Sequence, residues 1–164
     1  MMQYSWLKMP HYRYLLVADQ GSLVFVGSPD ASLSEAARYV TGPLEQDEQR
    51  MRPFEAALVA YLTGQTKTIN IPVAFRGTDL QQATWQYLQT IPYGETRTYA
   101  QVAAAVHHPN AFQAIGNAVG RNPLMMVIPC HRVLRKDSGL GGFRGGLALK
   151  RKLLALEQGQ HPIF

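Results

Sequence analysis

Asn122-Pro123-Leu124-Met125-Met126-Val127-Ile128-Pro129-Cys130-His131-Arg132-Val133 holds the single cysteine of a 164-residue chain. The thiol follows an apolar run and a proline, and precedes a histidine and an arginine. Only the thiolate is a nucleophile, and it forms where a base or positive charge lies close. His131 and Arg132 offer both. A plain buried cysteine is the competing reading, since free cysteines are among the most buried residues. One cysteine excludes an internal disulfide and a multi-cysteine zinc site. The five histidines (11, 107, 108, 131 and 161) pair with no cysteine set, and His107 and His108 point apart if extended. No metal is expected.

Downstream, Ser138–Gly146 reads as a flexible glycine-rich loop that brings backbone close to a ligand. It does not match a phosphate-binding glycine motif, and no cofactor is expected. Leu147–Glu157 reads as a closing helix with Leu149, Leu153 and Leu156 inward and Lys150-Arg151-Lys152 solvated. Upstream, Ala111–Arg121 carries Ile115 and Val119 at helical spacing. A preceding helix is capped by Thr98 and runs through Val106, so the pair forms a helix-turn-helix candidate. Ile91–Glu95 is a turn. Thr78 or Asp79 opens a helix through Thr90, with Trp85 and Leu88 inward. Leu124–Ile128 reads as a short buried strand or extended segment.

The first half reads as a small sheet with helices and no evident chemistry. Tyr12–Ala18 and Leu23–Gly27 flank a turn and predict a β-hairpin. Ser32-Leu33-Ser34-Glu35 has the pattern of a capping box. Pro53-Phe54 is expected to open a helix that Gly64 ends, and Thr68–Phe75 a third strand. Arg76-Gly77-Thr78-Asp79 marks the expected boundary, giving domains 1–75 and 76–164.

The charge is uneven. Residues 1–72 hold six Lys/Arg against seven Asp/Glu, and residues 73–164 hold ten against four. The second half therefore carries the excess positive charge and the cysteine, which suits a polyanion such as a phosphate backbone as well as a merely soluble basic surface. The N-terminus has no cleavage signal and no run approaches membrane-spanning length, so a cytoplasmic monomer without a membrane partner is expected.

Ile128-Pro129-Cys130-His131-Arg132-Val133 resembles the active-site motif of the methylated-DNA–protein-cysteine methyltransferases (O6-alkylguanine-DNA alkyltransferases). Further matches follow in order: Gly77-Thr78, Gln81, Trp85, Ile91–Thr96, Tyr99, Gly116-Asn117-Ala118, Gly120–Pro123 and Gly141–Gly146. Together they cover Arg76 to Glu157. The resemblance implies an α/β (α+β) fold: a small ribonuclease-H-like N-terminal domain, then a mainly helical domain with a winged helix-turn-helix. It implies irreversible, stoichiometric transfer of an alkyl group from guanine O6 in DNA to Cys130. O4-alkylthymine is a further candidate substrate.

The resemblance also assigns roles. His131 takes the thiol proton, through a water. Glu157 orients the imidazole, Asn122 orders the turn before the cysteine, and Tyr99 protonates guanine N3. Val133, Arg144, Phe143 and Met125 form the base pocket, with Cys130, Val133 and Arg144 contributing backbone groups. Phe112, Gln113, Ala114, Gly116 and Arg121, with Arg132, meet double-stranded DNA in its minor groove while the nucleotide is flipped out.

Four positions depart from the pattern. Gln113 stands where an arginine usually fills the gap left by the flipped base, beside Phe112 where a small residue is common. Phe143 replaces a common tyrosine and Met125 a common proline. Two other readings stand beside repair. One is a non-catalytic lesion-binding protein on the same scaffold, which Cys130 argues against. The other is a Cys/His hydrolase, for which adjacent partners in sequence are atypical.

Overall fold

A computed structural model describes residues 1–137 and 139–164. The fold is mixed α/β. Four strands form one sheet in the order β3-β2-β1-β4: β1 Met2–Lys8, β2 Arg13–Asp19, β3 Ser22–Val26 and β4 Leu44–Gln46. β1 and β2 pair antiparallel, as do β2 and β3, whereas β4 runs parallel to β1. Every residue from Tyr14 to Ala18 is buried. Alternation along the strand sends Tyr14, Leu16 and Ala18 into the main core, and Leu15 and Val17 into a second cluster with Met2, Phe25 and Ala36. Covered faces on both sides explain the unbroken apolar run.

The hairpin matches the sequence reading, but β1 does not appear in it. Its polar residues Gln3, Ser5 and Lys8 hide a strand at the centre of the sheet. The expected strand Thr68–Phe75 shrinks to a bridge between Val73 and Leu23. Ser32 makes no side-chain cap on α1 (Leu33–Ala36). Glu35 turns away to accept from the Ser28 N–H and hydroxyl instead.

Helix α2 spans Glu48–Leu62, five residues earlier at its start than Pro53 suggests, because the Asp47 carboxylate caps it by accepting from Arg50 N–H. It buries Met51, Phe54, Leu58, Tyr61 and Leu62 against the sheet. The second half is helical, as expected. α3 (Asp79–Leu88) and α4 (Tyr99–Ala105) both open on full capping boxes, Thr78 with Gln81 and Thr98 with Gln101. α5 (Phe112–Gly120) is bound to α3 where Trp85 Nε1 donates to Ala118 O at 2.8 Å. α6 spans Leu147–Glu157, and a two-stranded parallel pair joins β5 (Arg97–Thr98) to β6 (Val133–Leu134).

Leu124–Ile128 is a tight turn rather than a strand. Ile128 N–H donates to Leu124 O at 2.8 Å, and Met126 sits at φ 74°. The glycine-rich loop runs over 139–146; Ser138, its expected first residue, lies outside the described residues. The main core draws on both halves of the chain, from Leu7 to Phe164.

Candidate active site

Cys130 begins a short 3-10 turn, Cys130–Arg132. Pro129, at φ −78° and ψ 64°, makes an inverse γ-turn in which Cys130 N–H donates to Ile128 O at 2.7 Å. Asn122 fixes this bend from the end of α5. Its Nδ2 donates to Ile128 O at 2.8 Å, and its Oδ1 accepts from Leu124 N–H at 2.9 Å. The chain between helix and cysteine is thus closed by one buried amide.

Cys130 is 5% exposed. It lines a cavity with Asn122, Met125, Phe143, Arg144, Val119 and Gly120. Burial pushes the thiol's pKa up, against the lowering pull of the Asn122 hydrogen bond and the Arg144 and Lys150 charges. The cavity measures about 10 Å³, no more than the ~10–15 Å³ needed to admit one water molecule. A purine therefore enters only if the lining moves.

The residue after the thiol belongs to a buried relay. Glu157, the last residue of α6, accepts from five donors. His131 Nε2 binds Oε2 at 2.8 Å, Arg132 Nε binds Oε1 and Nη2 binds Oε2 at 2.8 Å each, Tyr61 Oη binds Oε2 at 2.5 Å, and Gly94 N–H binds Oε1 at 3.2 Å. Burial alone would raise its pKa; the hydrogen bonds from His131, Arg132 and Tyr61 outweigh it and hold the carboxyl far below the usual range. The ionised carboxylate only accepts, so the His131 proton sits on Nε2 and Nδ1 keeps a free lone pair. Nδ1 is buried and has no hydrogen-bond partner among the described residues. Burial lowers the imidazole pKa, which keeps it neutral and basic at rest. The arrangement supplies an oriented, neutral imidazole on the residue that follows the only thiol in the chain.

Tyr99, the first residue of α4, is half-buried. Burial, then the Cys130 charge, raises its pKa, so its proton stays on oxygen until a stronger acceptor arrives. Gly141 sits against it at φ 69°; a Cβ there would lie 2.9 Å from Tyr99 Oη.

Comparison with known proteins gives the lineage. Residues 79–159 match the family model for the DNA-binding domain of 6-O-methylguanine DNA methyltransferase. The inducible methylated-DNA–protein-cysteine methyltransferase of Bacillus subtilis is 35% identical over 160 residues, covering 94% of this chain and 89% of that protein. The chain belongs to the methylated-DNA–protein-cysteine methyltransferase family. The Haemophilus influenzae methyltransferase is 38% identical over 159 residues, covering 94% and 86%. Among solved structures, Mycobacterium tuberculosis OGT in complex with DNA superposes with a TM-score of 0.82 at 33% identity, covering 98% of this chain and 94% of that one.

Within this family frame, several expected residues stand elsewhere than the sequence suggested. Arg132, expected on DNA, faces inward. Its guanidinium clamps Glu157, donates from Nη1 to Ile91 O at 2.6 Å and lies over the Tyr93 ring. With Nε, Nη1 and Nη2 each bonded internally and the residue buried, the guanidinium is held away from any phosphate. Val133 is fully buried, and its carbonyl already accepts from Lys150 Nζ at 2.8 Å. Lys150, expected on a solvated face, is 0% exposed and also donates to the carbonyls of Leu140 and Gly142. Burial pulls its pKa down to about 8.

Arg144 is neither solvated nor free for phosphate. It donates to Val26 O at 2.7 Å and Asn122 O at 3.1 Å, and pairs with Glu35 at 3.1 Å. Phe112, Gln113, Ala114 and Arg121 are exposed on α5, with Gly116 half-buried among them.

The first half does carry chemistry. Tyr61 from α2 completes the Glu157 shell, and Glu35 and Val26 hold Arg144. Tyr61 was hidden by its regular helical spacing with Phe54, Leu58 and Leu62, which marks a core position equally well.

Proposed function

We infer that this chain repairs alkylated DNA by direct reversal, moving an alkyl group from guanine O6 to Cys130. His131 Nδ1 draws off the thiol proton through a bridging water, and Glu157 stabilises the imidazolium that forms. The thiolate attacks the alkyl carbon in line. The S–C bond forms as the C–O bond breaks, and the leaving guanine takes a proton from Tyr99 at N3. The imidazolium then gives up its proton to solvent and the Tyr99 phenolate recovers one from solvent, so that overall the alkyl group replaces the thiol hydrogen and the base gains one proton. The thioether is not hydrolysed, so each molecule acts once.

The observation that carries this reading is the buried His131–Glu157–Arg132 relay, built on the residue that follows the sole thiol in the same short turn. Asn122 sets the sulfur's bend, and Met125, Phe143 and the backbone of Arg144 line the base site. DNA is the partner. The exposed face of α5, with Phe112, Gln113, Ala114, Gly116 and Arg121, lies in the minor groove, and the damaged nucleotide swings into the cavity as α5 and the loop over 139–146 part. The protein acts as a cytoplasmic monomer. It divides into 1–75, a ribonuclease-H-like layer, and 76–164, a winged helix-turn-helix unit. The sheet order supports the first and the α4–α5 pair the second. Among the described residues no helix is long and apolar enough to cross a membrane.

The test is mass spectrometry after incubation with duplex DNA containing O6-methylguanine. The peptide holding Cys130 gains one CH2 unit, and Cys130→Ser gains none. An unmodified parent peptide beside consumed substrate would reject the reading in favour of a hydrolytic or other route.

A further inference from the structure

A cleft of about 620 Å³ opens away from the thiol, between the sheet and the helical half. Three arginines line it: Arg38 from the segment after α1, Arg76 ahead of α3, and Arg121 at the C-cap of α5. All three are exposed, and none of their side chains has a hydrogen-bond or ion-pair partner among the described residues. Contrast Arg132 and Arg144, whose guanidinium groups are spent on internal acceptors. One carboxylate, Asp19, faces the three cations, so the cleft stays basic. Between the arginines lie Tyr39, Val24 and Phe75, each half-buried.

The placement matters more than the charge. Arg38 comes from residues 1–72, which carry a slight acidic excess, whereas Arg76 and Arg121 belong to the basic half. Arg38 and Arg76 also lie outside the matched DNA-binding domain, which begins at residue 79. Arg121 joins the two surfaces, because it both ends α5 and lines the cleft.

We propose that this cleft is a second DNA contact, in which Arg38 and Arg76 hold the phosphate backbone of the duplex where it runs beyond α5 past Arg121. The proposal rests on α5 lying on the duplex. Unpaired guanidinium groups bind phosphate bidentately and release counterions, with no sequence preference. The cleft thereby lengthens the footprint and raises affinity for undamaged flanks, which suits a protein that must search long DNA before it reacts.

The experiment measures equilibrium binding of Cys130→Ser protein to two lesion duplexes across a salt series. One covers the lesion and its immediate neighbours; the other extends it by one helical turn on each side. Adding Arg38→Gln and Arg76→Gln reduces the log–log salt slope by about 1.8 on the long duplex, the value for two lost phosphate contacts, and leaves the short duplex unchanged. In an otherwise native background the same pair leaves the reaction with free O6-benzylguanine at the parent rate.

An unchanged slope on the long duplex overturns the proposal. So does loss of binding cooperativity alone, which would assign the cleft to contact between neighbouring copies. Ala114→Glu, on the exposed face of α5, separates the two readings. It should abolish binding to both duplexes. If it does so while the arginine pair has no effect, only the cleft proposal fails; if it binds like the parent, the α5 reading fails and the cleft proposal with it.

Discussion

Tyr61 Oη donates to Glu157 Oε2 at 2.5 Å, joining a helix of the first half to the last residue of the last helix. The same phenol lies 3.4 Å from His131 Nε2. Tyr61→Phe keeps the packing and removes the donor. Single-turnover reaction with O6-benzylguanine should slow by about an order of magnitude, short of the ~10²–10⁴ that loss of a general base costs. Chemical denaturation should show a loss of about 2 kcal/mol, the scale for a hydrogen bond to a charged group. An unaltered rate would remove Tyr61 from the relay.

Arg132 separates an interior role from a DNA role. Arg132→Met leaves the Glu157 carboxylate buried without its bidentate partner, and such a change costs roughly 3–5 kcal/mol. Arg132→Lys restores the charge but not the paired geometry, and should recover only part of that stability. DNA affinity of whatever remains folded should keep the parent salt dependence. A variant of normal stability with weakened DNA binding would reverse the assignment.

Acid should destabilise the fold in two stages. The His131 pKa is lowered in the native state, so below its ordinary value near 6.5 the unfolded chain takes up the proton first and stability falls. Glu157 is also lowered, so its contribution is full above its ordinary value near 4.5 and is lost progressively as pH falls below that. Denaturation midpoints followed downward from neutrality should decline across both windows. Glu157→Gln, less stable throughout, should flatten the lower one.

Lys150 is expected to tune the thiol. Its ammonium bonds the Val133, Leu140 and Gly142 carbonyls and lowers the Cys130 pKa by its charge. Lys150→Met should raise the pKa read from ultraviolet thiolate absorbance, which reports one group because the chain has one cysteine. Transfer should slow for free base and for DNA alike. An unmoved thiol titration would leave Lys150 as loop support alone.

Gln113 is exposed on α5 and lacks the charge that the family usually places there. Gln113→Arg should quicken repair in duplex DNA by about fivefold, the factor carried by a cation–π contact of ~1 kcal/mol with the orphaned base. The rate on free O6-benzylguanine should not change. Equal acceleration of both would show that the residue acts on chemistry rather than on flipping.

The helices of the second half were legible because their ends are written locally. Thr78 with Gln81, and Thr98 with Gln101, specify both capping boxes without reference to anything distant. The thiol and its adjacent imidazole were legible because they are neighbours in the chain. What stayed hidden depends on long separations. β1 has polar residues at Gln3, Ser5 and Lys8, so only pairing with β2 reveals it as a strand. Lys150 looks like one of three surface cations until the fold places three carbonyls around it. Arg132 reads as a phosphate ligand until Glu157, 25 residues away, arrives beside it. Pattern within a window cannot tell a buried charge whose partner is remote from a solvated one.

Glu157 ends α6, where the aligned peptide dipoles disfavour an anion. Desolvation adds to that penalty, and the fold meets it by importing a guanidinium, a phenol and an imidazole into space that aliphatic groups would fill more cheaply. Replacing the polar set with well-packed hydrocarbon should therefore give a sturdier but inert protein. A molecule that is spent after one reaction thus carries a permanent handicap in robustness for chemistry it performs a single time.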